Sequence, residues 1–309
     1  MRSKSHTITY QPSGAIATVT HGSGSTAVTE QWLPDPNGMG RPARILAIKP
    51  NGQEGWTTGV YAYDGAGNVK TAGNMSYAYD GLGRLVTWRV SNPATCGYEN
   101  TGFEYDGFGN RLYSAAGGCS GCWPGPMECH WPSVVPAELV GTTNRYADAT
   151  YDELGNVLAD WGRTFTYDSL GVTTGATTAG RTFRYLYSAD DERIGIIERV
   201  NVSGVTRNTM TWSMRGFDSK LLSTWTDDFT SGTRAVAWKD DEYWRGPSLL
   251  ANYSAASGTK HYTLDHLGSP RYVTGYTGQE IGTQTFEPFG YGGTSDGGAV
   301  QFAGMERDA

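Results

Sequence analysis

The sequence predicts an all-β fold in which antiparallel β-hairpins lie side by side in a curved sheet. Three observations carry that expectation. A tyrosine–aspartate–glycine phrase returns along the chain as Tyr61-Ala-Tyr63-Asp64-Gly-Ala-Gly67-Asn68-Val69 and Tyr77-Ala-Tyr79-Asp80-Gly-Leu-Gly83-Arg84-Leu85. It recurs as Phe103-Glu-Tyr105-Asp106-Gly-Phe-Gly109-Asn110, Tyr151-Asp152-Glu-Leu-Gly155-Asn156-Val157 and Phe165-Thr-Tyr167-Asp168-Ser-Leu-Gly171. The composition joins 43 Gly to 19 Tyr, 10 Trp and 9 Phe with only 18% charged residues, which suits many tight turns between ring-rich strands. Finally, no run of ten or more residues carries a 3.6-residue period.

Each phrase reads as one hairpin. The rings of Tyr-x-Tyr share a face because strand side chains alternate with period two. Aspartate opens the turn, where its carboxylate can accept hydrogen bonds from backbone N–H groups two or three residues on. The glycine three places later supplies the positive φ that closes a four- or five-residue loop. Asp64 with Gly67, Asp80 with Gly83, Asp106 with Gly109, Asp152 with Gly155, Asp168 with Gly171, and Asp265 with Gly268 are therefore the predicted turn residues. Asn or Arg follows, and Val or Leu begins the return strand. A lone hairpin is marginal in water, so successive hairpins must pair laterally and stack their aromatic rows. The spacing agrees: 16 residues separate Asp64 from Asp80, and Asp152 from Asp168.

Taken in order, residues 1–55 read as strands and turns. Thr7–Thr9 and Ala15–Thr20 alternate weakly, and Leu33-Pro-Asp-Pro-Asn-Gly38 is a breaker cluster. Residues 56–175 carry the repeats, interrupted at 113–149 by an ordered loop insertion rich in small residues, Pro and Cys, within which Pro136–Val140 is expected to make one helical turn. Residues 176–258 hold longer repeat-like strands, Phe183–Tyr187, Arg193–Val202 and Val205–Met214, with a turn at Ser203-Gly204. Residues 259–309 form the closing segment, and turns are expected at Ser257-Gly258, Asp265–Ser269 and Thr277–Gln279.

The net charge of −7 and the lack of a Lys/Arg cluster argue against nucleic acid as a partner, because phosphate neutralisation needs a concentrated basic surface. No apolar stretch approaches the roughly 18–20 residues that span a bilayer. Met1-Arg-Ser-Lys-Ser-His-Thr-Ile has positive charge but no apolar run behind it, so no secretory signal is read. A secreted or cell-surface location would then require a larger system.

Candidate chemistry is sparse, and no cofactor is expected. Cys119-x-x-Cys122, Cys129 and Cys96 could supply a tetrahedral Zn²⁺ site or two disulfides. Disulfides are preferred if the protein reaches an oxidising compartment. Either way they would staple the insertion. Gly22-Ser-Gly24 imitates a dinucleotide fingerprint, but Thr26–Trp32 alternates like a strand instead of opening a helix. Asp265, His266 and Ser269 are triad residue types crowded into one turn, which seldom gives relay geometry. The repeat aspartates offer one acid per turn, too few for a calcium loop, so turn capping accounts for them. The tyrosine rows are read as inter-strand packing, with carbohydrate binding by exposed rings as the rival.

These phrases resemble the YD repeats of the rearrangement-hotspot (RHS) family. Tyr262-Thr-Leu264-Asp265-His266-Leu267-Gly268-Ser269-Pro270-Arg271, Phe286-Glu287-Pro288-Phe289-Gly290 and Phe302-Ala-Gly304-Met-Glu306-Arg307-Asp308 resemble the start of the RHS-associated core. The resemblance covers roughly residues 55–309 and implies a segment of a hollow, cocoon-like β-shell that encloses or presents a C-terminal toxin or effector. Partners would be that effector, other RHS segments, or further copies meeting at open sheet edges. Family cores cleave themselves through acidic residues. Here Glu287 stands where the family has Asp and the match stops at Asp308, so self-cleavage and enzyme activity are not expected. The phrases suggest about nine or ten hairpins.

Overall fold

One loop geometry organises the chain. It has five residues: the first N–H bonds to the fifth carbonyl, and the fourth N–H bonds back to the first carbonyl. It occurs eleven times among the described residues, beginning at Gln11, Lys49, Asp64, Asp80, Asp106, Asp152, Asp168, Ser188, Gly216, Asp265 and Gly275. The fourth residue has positive φ in all of them, from 57° at Asp191 to 92° at Gly67 and Gly155. Glycine fills that position wherever the tyrosine–aspartate phrase is present, since the left-handed region costs an L side chain roughly 1–2 kcal/mol.

The carboxylate does more in this loop than the phrase predicts. Asp64 Oδ1 accepts the N–H groups of Ala66 and Asn68 at 2.9 and 2.8 Å, two and four residues on, and Asn68 Nδ2 donates to Oδ2. Asp80 repeats the pattern with Leu82 and Arg84, whose Nε donates to Oδ2 at 2.7 Å. The Asn or Arg after the glycine is thus the residue that occupies the second carboxylate oxygen. These bonds favour the ionised form. Hydrogen bonding from Asn68, Arg84, Asn110 and Asn156 holds Asp64, Asp80, Asp106 and Asp152 below the usual aspartate range.

The chain is shown by a computed structural model describing residues 6–92, 97–117, 139–140, 143–290 and 302–305; among them it is all-β and antiparallel. It divides into two compact units. The first comprises Met1–Pro136, Arg245–Leu250 and Thr259–Ala309. Its five-stranded sheet runs in chain order: β1 (His6–Tyr10), β2 (Ile16–His21), β3 (Val28–Pro34), β4 (Pro42–Ile48) and β5 (Glu54–Thr57). Its six-stranded sheet does the same: β6 (Tyr61–Tyr63), β7 (Val69–Ala72), β8 (Met75–Tyr79), β9 (Leu85–Asn92), β10 (Gly97–Tyr105) and β11 (Arg111–Gly117).

The second unit comprises Ala137–Trp244 and Ala251–Gly258. It holds a short hairpin, β12 (Leu139–Val140) with β13 (Arg145–Tyr146), and then a meander. The meander contains β14 (Thr150–Tyr151), β15 (Val157–Asp160), β16 (Arg163–Tyr167), β17 (Thr173–Thr178) and β18 (Arg181–Tyr187). It continues through β19 (Arg193–Val202), β20 (Val205–Arg215), β21 (Leu221–Asp228) and β22 (Ala235–Arg245). The remaining strands are β23 (Ser248–Ser254), β24 (Gly258–Leu264), β25 (Pro270–Gly275) and β26 (Glu280–Thr283), the last three pairing in order.

In the meander the two edges differ. The loops at Asp152, Asp168, Ser188 and Gly216 share one edge. The opposite edge has two-residue turns with both φ positive, at Trp161-Gly162, Ala179-Gly180 and Ser203-Gly204. Such turns match the twist of the flanking strands. The five-residue loop also carries a register shift, because its closing pair lies six residues apart: Tyr63 with Val69, Tyr79 with Leu85, Tyr167 with Thr173. Each shift falls just before the tyrosine and turns its ring.

That placement makes a second recurrent bond. In three of the phrases the hydroxyl of the last tyrosine donates to a main-chain carbonyl of the strand before it, whereas the Tyr151 hydroxyl accepts the Tyr146 N–H. Tyr79 bonds Val69 O at 3.0 Å, Tyr105 bonds Leu85 O at 2.7 Å, and Tyr167 bonds Val157 O at 2.8 Å. Tyr187, outside the recognised phrases, bonds Thr173 O at 2.8 Å. Tyr63 reaches Pro42 O and ties the two sheets of the first unit. Beneath these ties Ile45, Tyr61 and Ala72 form a core, with Trp32, Trp56, Met75 and Tyr77 packed on it. Gly59 is forced there: a Cβ would sit 2.2 Å from Gly73 Cα.

Several expectations change. Leu139–Val140 form a strand, not part of a helical turn, because Tyr146 and Arg145 offer them a ladder. The third repeat runs on to Gly117, beyond the expected start of the insertion at 113. The twenty-six strands among the described residues make more hairpins than nine or ten, since loops lacking the phrase fold identically. Cys96, Cys119, Cys122 and Cys129 lie outside the described residues.

Two substitutions should separate turn strain from turn space. Gly83, at φ 78° in open space, should cost about 1 kcal/mol or more as Gly83→Ala, while Gly81→Ala in the same loop stays within about 0.5 kcal/mol. Ala179→Gly should stabilise by up to about 1 kcal/mol, because it relieves φ 40° in a two-residue turn. Urea denaturation reads all three.

Candidate functional site

The first unit holds a cavity of about 620 Å³. Its walls follow from the repeat. Alternation on β6, β8 and β9 places Tyr61, Tyr77 and Trp88 on one face. The loop after β24 brings Asp265, His266 and Leu267 over them, and Phe286–Phe289 with Phe302 complete the lining. The interior is apolar and rich in aromatic rings, with buried Asp265 beneath a polar rim of His266, Arg271 and Glu287.

The rim is a fixed network. Asp265 Oδ1 accepts the N–H groups of Leu267 and Ser269 at 2.9 and 3.0 Å, as in every aspartate loop, and Oδ2 takes Arg271 at 3.2 Å. Arg271 Nε also donates to Gln284 O at 3.0 Å, and its guanidinium lies 5.8 Å from the Phe286 ring. Ser269, fully buried, accepts the Ala303 N–H on Oγ at 2.8 Å. His266 Nδ1 lies 2.8 Å from the Tyr61 hydroxyl, with the rings edge to face. Phe289 meets Phe103 edge to face at 5.2 Å, and Arg111 covers it at 4.6 Å.

Electrostatically the site favours neutral groups where it is deep. Burial lowers the His266 imidazole below its ordinary range, although the Asp265 charge opposes the shift. Burial pushes the Tyr77 hydroxyl up to about 12 and the Tyr61 hydroxyl higher still. At neutral pH the deep groups are thus two un-ionised phenols, and the imidazole on the rim is neutral as well. Such a set donates and accepts hydrogen bonds and stacks on rings.

The residues singled out in sequence fall into clear places. Asp64, Gly67, Asp80, Gly83, Asp106, Gly109, Asp152, Gly155, Asp168 and Gly171 all sit in the five-residue loops, away from the cavity, and Asp265 with Gly268 forms the loop above it. Asp265, His266 and Ser269 bond to three different groups: the loop's own amides and Arg271, Tyr61, and the Ala303 amide. Gly22–Ala27 makes a turn with one short 3₁₀ segment at Gly24–Thr26 before β3. Among the described residues, no three His, Cys, Asp or Glu side chains are placed to hold a metal ion. Sequence reasoning missed Tyr61, Tyr77 and Trp88 as cavity walls. Their even spacing marks a shared strand face but not what covers it.

No protein-family model matches the chain, and no curated protein matches it in sequence. Solved structures do match in fold. One is a chain in the crystal structure of TcdB2-TccC3-Cdc42, with TM-score 0.71 and 17% identity, covering 98% of this chain and 17% of that one. A second is in the crystal structure of TcdB2-TccC3, also at TM-score 0.71 and 17% identity, with the same coverage. A third is in the Photorhabdus luminescens Tc holotoxin pore with a mutated TccC3, at TM-score 0.70 and 15% identity, covering 98% of this chain and 16% of that one. The chain therefore spans about a sixth of these toxin-complex chains. It shares their all-β fold.

The Tyr61–His266 contact sets a test by histidine NMR. His266 should titrate below the ordinary 6.5, and a midpoint at or above 6.5 would contradict the burial argument. Tyr61→Phe should move that midpoint upward, because the hydroxyl supports the neutral ring, and should cost about 1 kcal/mol of stability.

Proposed function

We propose that this chain is a structural shell segment of an RHS/YD-repeat protein in a toxin-delivery or contact-dependent competition system. Its hairpins form part of a wall that encloses or presents another polypeptide, an effector or further RHS segments, outside the producing cell. The observation that carries this reading is the fold match across 98% of the chain to toxin-complex chains. The tyrosine ties support it. They commit ring hydroxyls to the neighbouring hairpin, which suits a wall better than a surface for binding sugars. No described helix is long and apolar enough to cross a membrane. The reading assigns no reaction to the chain. Asp265, His266 and Ser269 are each engaged in holding the fold.

The test mixes the purified chain with a permanently unfolded polypeptide, reduced and carboxymethylated α-lactalbumin. Slower proteolysis of that polypeptide and co-migration on size exclusion are expected. Unchanged proteolysis, together with glycan-array binding lost on substituting solvent-facing tyrosines, would replace this reading with a carbohydrate-binding adhesion module. Intact-mass measurement after prolonged incubation should return the 33.4 kDa chain alone, and discrete smaller products would contradict the absence of self-cleavage.

A further inference from the structure

We propose that His21 and Glu30 act as a one-proton lock in the first unit: a single proton held between them keeps β1–β3 packed on β24, and its loss loosens that packing. The lock is built from four strands. His6 on β1 faces its register partner His21 on β2, with the two Nδ1 atoms 3.2 Å apart. Glu30 on β3 places Oε2 3.6 Å from His21 Nε2. His261 on β24 stacks on the His21 ring at 5.3 Å and meets His6 edge to face at 5.4 Å. His21, Glu30 and His261 are only 1%, 3% and 3% exposed.

The titratable groups facing the pair are His6 and His261. The other contacts are amide-like donors: the Trp32 indole N–H from β3 itself and the Leu264 main-chain N–H from β24, both to the Glu30 carboxyl. Among the described residues no Lys or Arg contacts the Glu30 carboxylate, so no fixed positive charge there balances it. Only a proton can do so. A buried carboxylate without a counter-charge is costly, and a second proton on the pair, which would make a buried imidazolium beside two further imidazoles, is costly in the same way. The stable filling is one proton for the pair.

The pH dependence follows from burial acting oppositely on the two groups. It raises the Glu30 carboxyl to about 8, partly opposed by the Trp32 and Leu264 hydrogen bonds, and lowers the His21 imidazole to about 4. The ordinary values are 4.5 for Glu30 and 6.5 for His21. Between 6.5 and 8 the packed state holds a proton that the opened state lacks, so opening becomes easier as pH rises. Between 4.5 and 6.5 the pair holds one proton in each state, Glu30's when packed and His21's when open, so the pair itself adds no pH dependence there. Below 4.5 the open state gains a second proton before the packed state does, so stability falls again as pH drops.

Hydrogen exchange of the full chain, corrected for intrinsic rates, tests this locally. Opening of segments covering Ile16–Pro34 and Gly258–Leu264 should show no rise with pH up to about 6.5. It should then rise by up to about tenfold per pH unit, reaching roughly fifteenfold at pH 8. Glu30→Gln, which mimics the protonated acid, should abolish that rise. An identical rise in Glu30→Gln, or a flat wild-type profile to pH 8, overturns the lock. Should Glu30→Gln not fold, the wild type decides alone. A rise confined to these segments supports the proposal, and a rise shared by the whole first unit overturns it.

Discussion

A single hydrogen bond, passed from hairpin to hairpin, is what the architecture depends on. A tyrosine at the end of one strand reaches back to a carbonyl of the strand before it, near the preceding loop. The bond joins different hairpins, so it does what a ladder within one hairpin cannot: it fixes how far each hairpin's loop end stands from the next. The register shift before the tyrosine makes the reach possible, and the five-residue loop makes the register shift. Each feature requires the one before it. Two of the ties gain a cation as well: Arg84 pairs with Asp80 in its own loop and lies 4.7 Å from the Tyr105 ring of the next hairpin, and Arg41, paired with Asp35, lies 3.8 Å from the Tyr63 ring.

This coupling explains how a chain with 18% charged residues and modest hydrophobic clusters orders so many strands. Small sheets draw stability from cross-strand neighbours more than from one deep core. Here the hairpins contribute five-residue loops, most of them filled by a carboxylate or a serine hydroxyl, on one side and, in the meander, tight positive-φ turns on the other. A surface assembled this way can be extended by repetition without redesigning its interior. That is the property a containing wall needs. It also frees the aromatic face of β6, β8 and β9 to line a cavity, because the outer tyrosines do the tying.

Much of this could be read from the residues. Asp64, Asp80, Asp106, Asp152 and Asp168 announce their loops because glycine follows at the position where φ must be positive, and Arg193–Val202 is a strand over the expected residues. The loops at Gln11, Ser188 and Gly216 were not legible. Ser188 Oγ replaces the carboxylate in accepting the Asp190 and Glu192 amides, and Asp191 and Ser219 take the positive φ, so nothing in the letters repeats. The tyrosine ties were read as packing alone, since a hydroxyl's partner 10 to 20 residues away leaves no trace in spacing. The cavity and the His21–Glu30 cluster were hidden for a stronger version of that reason: Tyr61 meets a residue 205 positions later.

The most direct measurement is the stability of a tyrosine-to-phenylalanine series at positions 79, 105, 167 and 187, with exposed Tyr146 as the control. Removing each tying hydroxyl leaves the facing carbonyl without its donor, so each change should cost about 1 kcal/mol in urea denaturation, with Tyr146→Phe within about 0.5 kcal/mol of the parent. Four substitutions indistinguishable from the control would mean that the hairpins are held by ring packing alone, and the account of the wall would fail with them.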